Sequence, residues 1–318
     1  MTEIKNNFFN KILFLGCILI IPLSLFFQKL EISSWLALVV GIVFAIILGN
    51  PFDGKTGKLT STLLKASVVL IGFGYPISAI SDLSSSEFSY VIIFVILTLL
   101  FGFTLGKTLS VDQKTSDLIS SGTGICGASA IAAIASAIKA NEKQISISLG
   151  TVFILSVSGL IMYPSIGKYF ALSDHQFGIW AGLTIHDTAS AIGAAEDFGP
   201  DSIKIATIIK LSKVLFIIPL VFLGSFVYKN ENKKFTFPFF IIFFLIAMIL
   251  NSSFPDFKDG FENIKGIGKK GLQVSLFLIG ANLSIKNLKT IGIKPFVHGL
   301  IIWCTLSTIS LIAIKYFS

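Results

Sequence analysis

Between Ile12 and Ile314 the chain passes through one apolar stretch after another, most of them long enough to cross or nearly cross a bilayer, with only short polar segments between them. A helical span needs about 20 such residues to traverse a hydrocarbon core of about 30 Å, so these stretches consume most of the 318 residues. Little is left for an extramembrane domain. Charged residues make up 13% of the chain and hydrophobic ones 53%, whereas a soluble domain carries about 25% charge. The expected fold is a single all-α polytopic membrane domain over residues 1–318, with about 10 to 11 transmembrane helices.

The apolar segments fall at 12–27, 34–48, 59–80, 90–105, 116–138, 145–169, 176–195, 205–228, 235–250, 267–288 and 291–314. Lys5 and Lys11 precede the first, but no small-residue cleavage site follows it, so it reads as a retained first span. Segments 116–138 and 176–195 differ from the others. Both are rich in Gly, Ala, Ser and Thr and poor in the large side chains that lipid favours, so they are expected to be buried or broken, either crossing or re-entrant. With the N-terminus cytoplasmic, lysines are in excess on the inner side under either arrangement.

Several function classes drop out. The net charge of +8 is carried by lysine alone, without any arginine, and is spread over short loops, which is a topology signal and not a nucleic-acid surface. Cys17, Cys126 and Cys304 lie far apart with no paired histidines, so neither a metal site nor a disulfide framework is expected. No Walker A sequence is present, so ATP is not the expected driver, and no cofactor is expected. A weak internal repeat relates LLKASVVLIG (63–72) to GLQVSLFLIG (271–280). The span count makes the two copies run in opposite directions, as in inverted-repeat transporters, with repeat-like halves at about 33–168 and 175–316.

Chemistry concentrates in three places. Ser120, Ser121, Gly122, Thr123, Gly124, Cys126, Gly127 and Ser129 interrupt an apolar segment. Three glycines in six residues disfavour a continuous helix, and the half-helix starting near Ser129 would point backbone N–H groups at an anion. His186 and Asp187 sit side by side in a Gly/Ala-rich segment, where an unpaired polar group is costly. Lys210 and Lys213 are three apart and share a helix face, where they would attract an anion, pair with Asp187 or snorkel to the interface. His175 and His298 have no such surroundings in the sequence.

With GTGICGASAI, GIWAGLTIHD and IIKLSKV in this order, the chain resembles the YeiH-like family of bacterial inner-membrane proteins, the sulfate-exporter family. The resemblance covers nearly the whole chain. It implies inverted repeats with crossing broken helices, related to the bile-acid symporter and cation/proton antiporter superfamily, in a multi-pass inner-membrane protein. It also carries the site onto Gly124, Cys126, Gly127, Ser129, His186, Lys210 and Lys213. Two positions depart from the family pattern: its acidic residue is commonly Glu where this chain has Asp187, and its arginine is Lys213 here, which cannot form a bidentate fork.

The resulting expectation is a secondary transporter of a small inorganic or organosulfur anion such as sulfate. Thr123, Ser129 and helix N-terminal N–H groups would hold the anion, Lys210 or Lys213 would neutralise it, and His186 and Asp187 would carry a coupling proton. The expected partners are that anion and membrane lipid, with a homo-oligomer left open. The alternatives are a cation/proton antiporter with Asp187 as ion ligand and a membrane enzyme with Cys126 as nucleophile and His186 as base.

Overall fold

A computed structural model of the protein describes residues 2–23, 33–52, 56–78, 85–228, 239–282 and 292–317, and its regular elements there are all helical. In chain order they are α1 (Thr2–Leu23), α2 (Ser34–Ile47), α3 (Thr56–Gly72), α4 (Ser85–Thr108), α5 (Gln113–Gly124), α6 (Ala128–Ala137), α7 (Glu142–Tyr169), α8 (Asp174–Thr184) and α9 (Thr188–Phe198). Then follow α10 (Pro200–Val214), α11 (Ile217–Val227), α12 (Phe240–Ser253), a short 3₁₀ turn (Pro255–Phe257), α13 (Lys258–Ala281) and α14 (Ile293–Phe317). Parts of the expected segments at 24–27, 79–80, 235–238, 283–288 and 291 lie outside the described residues. Contacts divide the chain into two compact units, Met1–Asp82 with Pro238–Ile285 and Leu83–Phe237 with Lys286–Ser318.

In the first unit α13 packs against α2 and α3. The α2 contact is tight because a side chain on Gly41 would strike the Phe277 carbonyl, and one on Gly280 the Leu38 carbonyl. The two copies of the weak repeat lie on α3 and α13. Gly271 faces Ser67 while Gly268 faces Leu70 and Ile71, so the copies run antiparallel. Phe14, Phe44 and Phe277 fill the core with edge-on and tilted ring contacts, Phe14 lying 5.3 Å from each of the others.

Among the described residues, the four helical stretches long and apolar enough to cross a membrane all lie in the second unit: Glu87–Thr108, Glu142–Tyr169, Pro200–Val227 and Ile293–Tyr316. In the first unit, α12 and α13, bent by 103° at their junction, make a fifth if counted as one span. The described residues thus give four or five spans from eleven apolar segments. The remaining helices of the first unit are short or only partly apolar, and in the second unit two segments double back.

Those two are the Gly/Ala-rich ones. Lys114, at the start of α5, donates to the Lys139 carbonyl just beyond α6 at 2.7 Å, and Asp112 accepts from Gln144 at the start of α7 at 2.8 Å. Laid end to end, α5 and α6 would separate those positions by about 35 Å. They instead form a hairpin, hairpin 1, that returns to the face it entered by. Hairpin 2, from α8 and α9, does the same at the other end of α7: Phe177 and Phe198 stack at 3.8 Å, and Asp174 accepts from the Asp201 N–H at 3.3 Å. Each half-helix has 10 to 12 residues, about 15–18 Å or roughly half of a hydrocarbon core. Of the two arrangements compatible with the lysine distribution, the chain adopts the re-entrant one. Hairpin 1 breaks where expected, just before Ser129, hairpin 2 breaks at His186–Asp187, and neither traverses.

Each hairpin is followed by a span, α7 after the first and α10–α11 after the second. The second of these spans tightens at Leu215–Phe216, where Phe216 N–H reaches Lys213 O at 3.0 Å and Ile218 N–H reaches Leu215 O at 3.2 Å. Pro219 accounts for this, having no N–H to give Leu215.

Candidate functional site

The hairpin tips meet. Gly127, at the turn of hairpin 1, packs on Asp187, at the turn of hairpin 2, so closely that a Cβ on Gly127 would lie 3.4 Å from the Asp187 Cβ. Asp187 is also tied to Ser156, near the midpoint of α7, which places the meeting point at mid-height of the unit. Two helix N-termini, of α6 and α9, and two C-termini, of α5 and α8, converge there.

Hairpin 1 starts from Asp112, the cap of α5, which accepts from the Thr115 N–H at 3.0 Å and its hydroxyl at 2.9 Å. Burial pushes the Asp112 carboxyl up, but the Thr115 bonds, the Gln144 amide and the Lys114 ammonium outweigh it and hold it below the ordinary carboxylate value. Along α5, Ser120 donates to Ser116 O at 2.7 Å, Ser121 to Asp117 O at 2.6 Å and Thr123 to Ile119 O at 2.8 Å. The hydroxyl-rich run therefore satisfies itself within its own helix. Thr123 is buried with its proton committed. Gly124 lets α5 approach α4, a Cβ there falling 3.3 Å from Thr98. At the turn Gly127 adopts φ +65°, which only glycine takes readily with the accompanying ψ of −123°.

Downstream, α6 opens without a side-chain cap. Cys126 is buried against this end, its sulfur interacting with the Ala130 N–H, Ser129 and Lys210. Ala128 and Ser129 are exposed. A cavity of about 250 Å³ flanks the hairpin; it is lined by Lys107, Asp117 and Tyr228 and reaches Ser121, one turn from the tip. Tyr228, just beyond α11, donates to the Asp117 carboxylate.

Hairpin 2 has a charged tip. Asp187 caps α9 by accepting from the Ser190 N–H at 2.9 Å, and it also accepts from the Ser156 hydroxyl. The Asp187 N–H in turn donates to the Ser156 oxygen at 3.2 Å. At the C-terminus of α8, Lys213 donates to Leu183 O and Lys210 to Ile185 O, both ammonium groups being fully buried. These carbonyls are among those a helix end leaves without an internal partner, at the negative pole of its dipole. The lysines thus neither snorkel nor bond the Asp187 carboxylate directly. They cap a helix inside the bundle. Lys213 additionally lies over the Phe94 ring at 4.3 Å.

His186 is fully buried beside Trp303, ring centroids 5.9 Å apart, and neither ring nitrogen has a hydrogen-bond partner. Leaving buried polar atoms unpaired costs about 1–3 kcal/mol each. Asp187 and Thr188 are half-buried.

Thus Gly127, Cys126, Ser129, His186, Asp187, Lys210 and Lys213 gather at the tips, while Thr123 and Gly124 serve the packing of α5. Sequence reasoning passed over Ser156, a serine among many on an apolar helix. It also passed over His298, which is buried and bonds Gly102 O at 2.9 Å and Ser116 Oγ at 3.3 Å, and His175, which pairs with the buried Glu87. Only the rarity of histidine, three in the chain, offered a signal.

Comparison with known proteins identifies the family of the chain. The chain is 40% identical to a UPF0324 membrane protein of Bacteroides thetaiotaomicron, over 90% of this chain and 88% of that one. It is 38% identical to a UPF0324 membrane protein of Porphyromonas gingivalis, over 98% of both. A UPF0324 membrane protein of Bdellovibrio bacteriovorus is 40% identical over 89% of each chain. No solved structure matches. The profile of the family described as Conserved hypothetical protein 698 matches residues 11–299, and the chain, a multi-pass membrane protein, belongs to that YeiH-like family.

Proposed function

We propose that the protein is a secondary transporter of a small anion, held where the two hairpin tips meet. One observation carries this reading: of the two helix N-termini at that point, α9 is capped by Asp187, whereas α6 has no side-chain cap and opens at exposed Ala128 and Ser129. The Ala128 and Ser129 N–H groups, and the Ser129 hydroxyl on turning away from the Cys126 sulfur, would donate to the anion, while Lys210, within electrostatic range of Cys126 and Asp187, supplies positive potential from behind. The cavity reaching Ser121 offers an approach from the face where hairpin 1 enters. His186 and Asp187 would take up a coupling proton, the carboxylate being the half-buried group of the pair. Sulfur oxyanions are the class to test first, in an inner-membrane protein with a cytoplasmic N-terminus.

The deciding experiment is uptake into proteoliposomes of sulfate, sulfite, thiosulfate, bicarbonate and small sulfonates, with wild type beside Ser129→Ala and His186→Ala. Saturable flux of one anion, lost in Ser129→Ala, supports the proposal. Asp187 with Ser156 also forms an oxygen-rich corner that would suit a cation. Ion-dependent proton flux without any anion, abolished in Asp187→Asn, would establish the cation/proton antiporter instead.

A further inference from the structure

We infer that the site, before it takes up a coupling proton, selects a singly charged anion over a doubly charged one. The inference rests on the anion reading above and on the charges the structure fixes at the tips. Lys210 and Lys213 contribute at most two positive charges, and Asp187, in the state without a coupling proton, contributes one negative charge. His186 adds none: an imidazolium has two N–H donors, and neither ring nitrogen finds an acceptor, so burial without partners favours the neutral ring. The helix ends cancel, since two N-termini and two C-termini converge. At most one positive charge remains.

A monoanion closes that sum to zero. A dianion leaves a net negative charge among side chains that are buried or half-buried, where an unbalanced charge is poorly tolerated. Lysines that already spend a proton each on the Leu183 and Ile185 carbonyls cannot make up the difference by a bidentate grip. The favoured class is therefore bisulfite, bicarbonate or a small sulfonate, and sulfate itself is disfavoured.

The test measures Kd for methanesulfonate and for sulfate on the purified full-length protein, by calorimetry at one ionic strength. Wild type is compared with Asp187→Asn and Asp187→Ser, both of which retain an α9 cap while removing the negative charge. The expected result is that methanesulfonate binds wild type at least about tenfold tighter than sulfate, and that both variants shift the ratio toward sulfate by about tenfold or more. Equal or tighter sulfate binding by wild type would overturn the inference while leaving an anion transporter standing. An unchanged ratio in both variants would overturn the charge sum as its cause. Failure of every anion to bind would remove the transport reading itself.

Discussion

Hairpin 1 and hairpin 2 are built alike, as two half-length helices that return to the face they entered by, yet they bring opposite chemistry to the place where they meet. Hairpin 1 arrives with Cys126, Gly127 and backbone, its serine and threonine hydroxyls on α5 turned back onto their own carbonyls. Hairpin 2 arrives with charge: two ammonium groups on the end of α8 and a carboxylate on the start of α9. Charged side chains in such a setting invite the reading of ligand contacts. The hydrogen bonds give them another task. They hydrogen-bond the carbonyls and the N–H group that these helix ends leave without an internal partner. The less conspicuous tip is the one with donors to offer.

The contrast is open to direct attack. Replacing both Lys210 and Lys213 by methionine should do the most damage, because each substitution strands a buried carbonyl at about 1–3 kcal/mol. A thermal or denaturant midpoint should fall accordingly, and saturating anion should not restore it. If the double variant instead kept its midpoint and lost only anion binding, hairpin 2 would be the ligand site and the comparison would invert. Next in size is Gly127→Ala, where a Cβ meets both an unfavourable backbone conformation and Asp187; stability should drop by about 1–3 kcal/mol.

Ser129→Ala should change the midpoint by less than about 0.5 kcal/mol, since the side chain is exposed. It should nevertheless weaken anion affinity roughly tenfold, about 1.4 kcal/mol, through loss of one charge-assisted hydrogen bond. The smallest effect is expected at the far end of hairpin 1. Asp112→Ala removes the α5 cap at about 1 kcal/mol. Because the Asp112 carboxyl titrates below its unfolded value, that contribution is present at neutral pH and is lost as pH falls through the folded-state pKa. Unfolding curves of the variant and wild type should converge in acid.

The position of the first break was legible from composition alone, and the second segment was legible as one that is buried or broken, without the place of its break. Glycines 122, 124 and 127 cannot sit comfortably in one helix, and the His186–Asp187 pair marks a place where a segment cannot face lipid. The direction taken after each break was not legible. Whether α6 continues or returns depends on Lys114 finding the Lys139 carbonyl, and whether α9 returns depends on Phe198 stacking on Phe177. Neither pairing leaves a trace in hydrophobic periodicity, which is the same for a crossing and a doubled-back helix. The lysines illustrate a second limit. Their shared helix face could be read from their spacing, but their partners are backbone carbonyls 25 and 30 residues away, and any residue supplies a carbonyl. Ser156 was hidden for a similar reason, since only the fold brings one of many serines to Asp187.

The central claim is that the uncapped end of α6, and not the lysine pair, receives the anion. The most direct measurement is an anomalous difference map from crystals of the full-length protein grown with bromomethanesulfonate, whose bromine reports the position of a singly charged sulfonate. The account predicts a bromine peak beside Ser129, with the sulfonate oxygens facing the Ala128 and Ser129 N–H groups and Lys210 and Lys213 still bonded to Ile185 and Leu183. A sulfonate found on the two ammonium groups, with those carbonyls released, would contradict it.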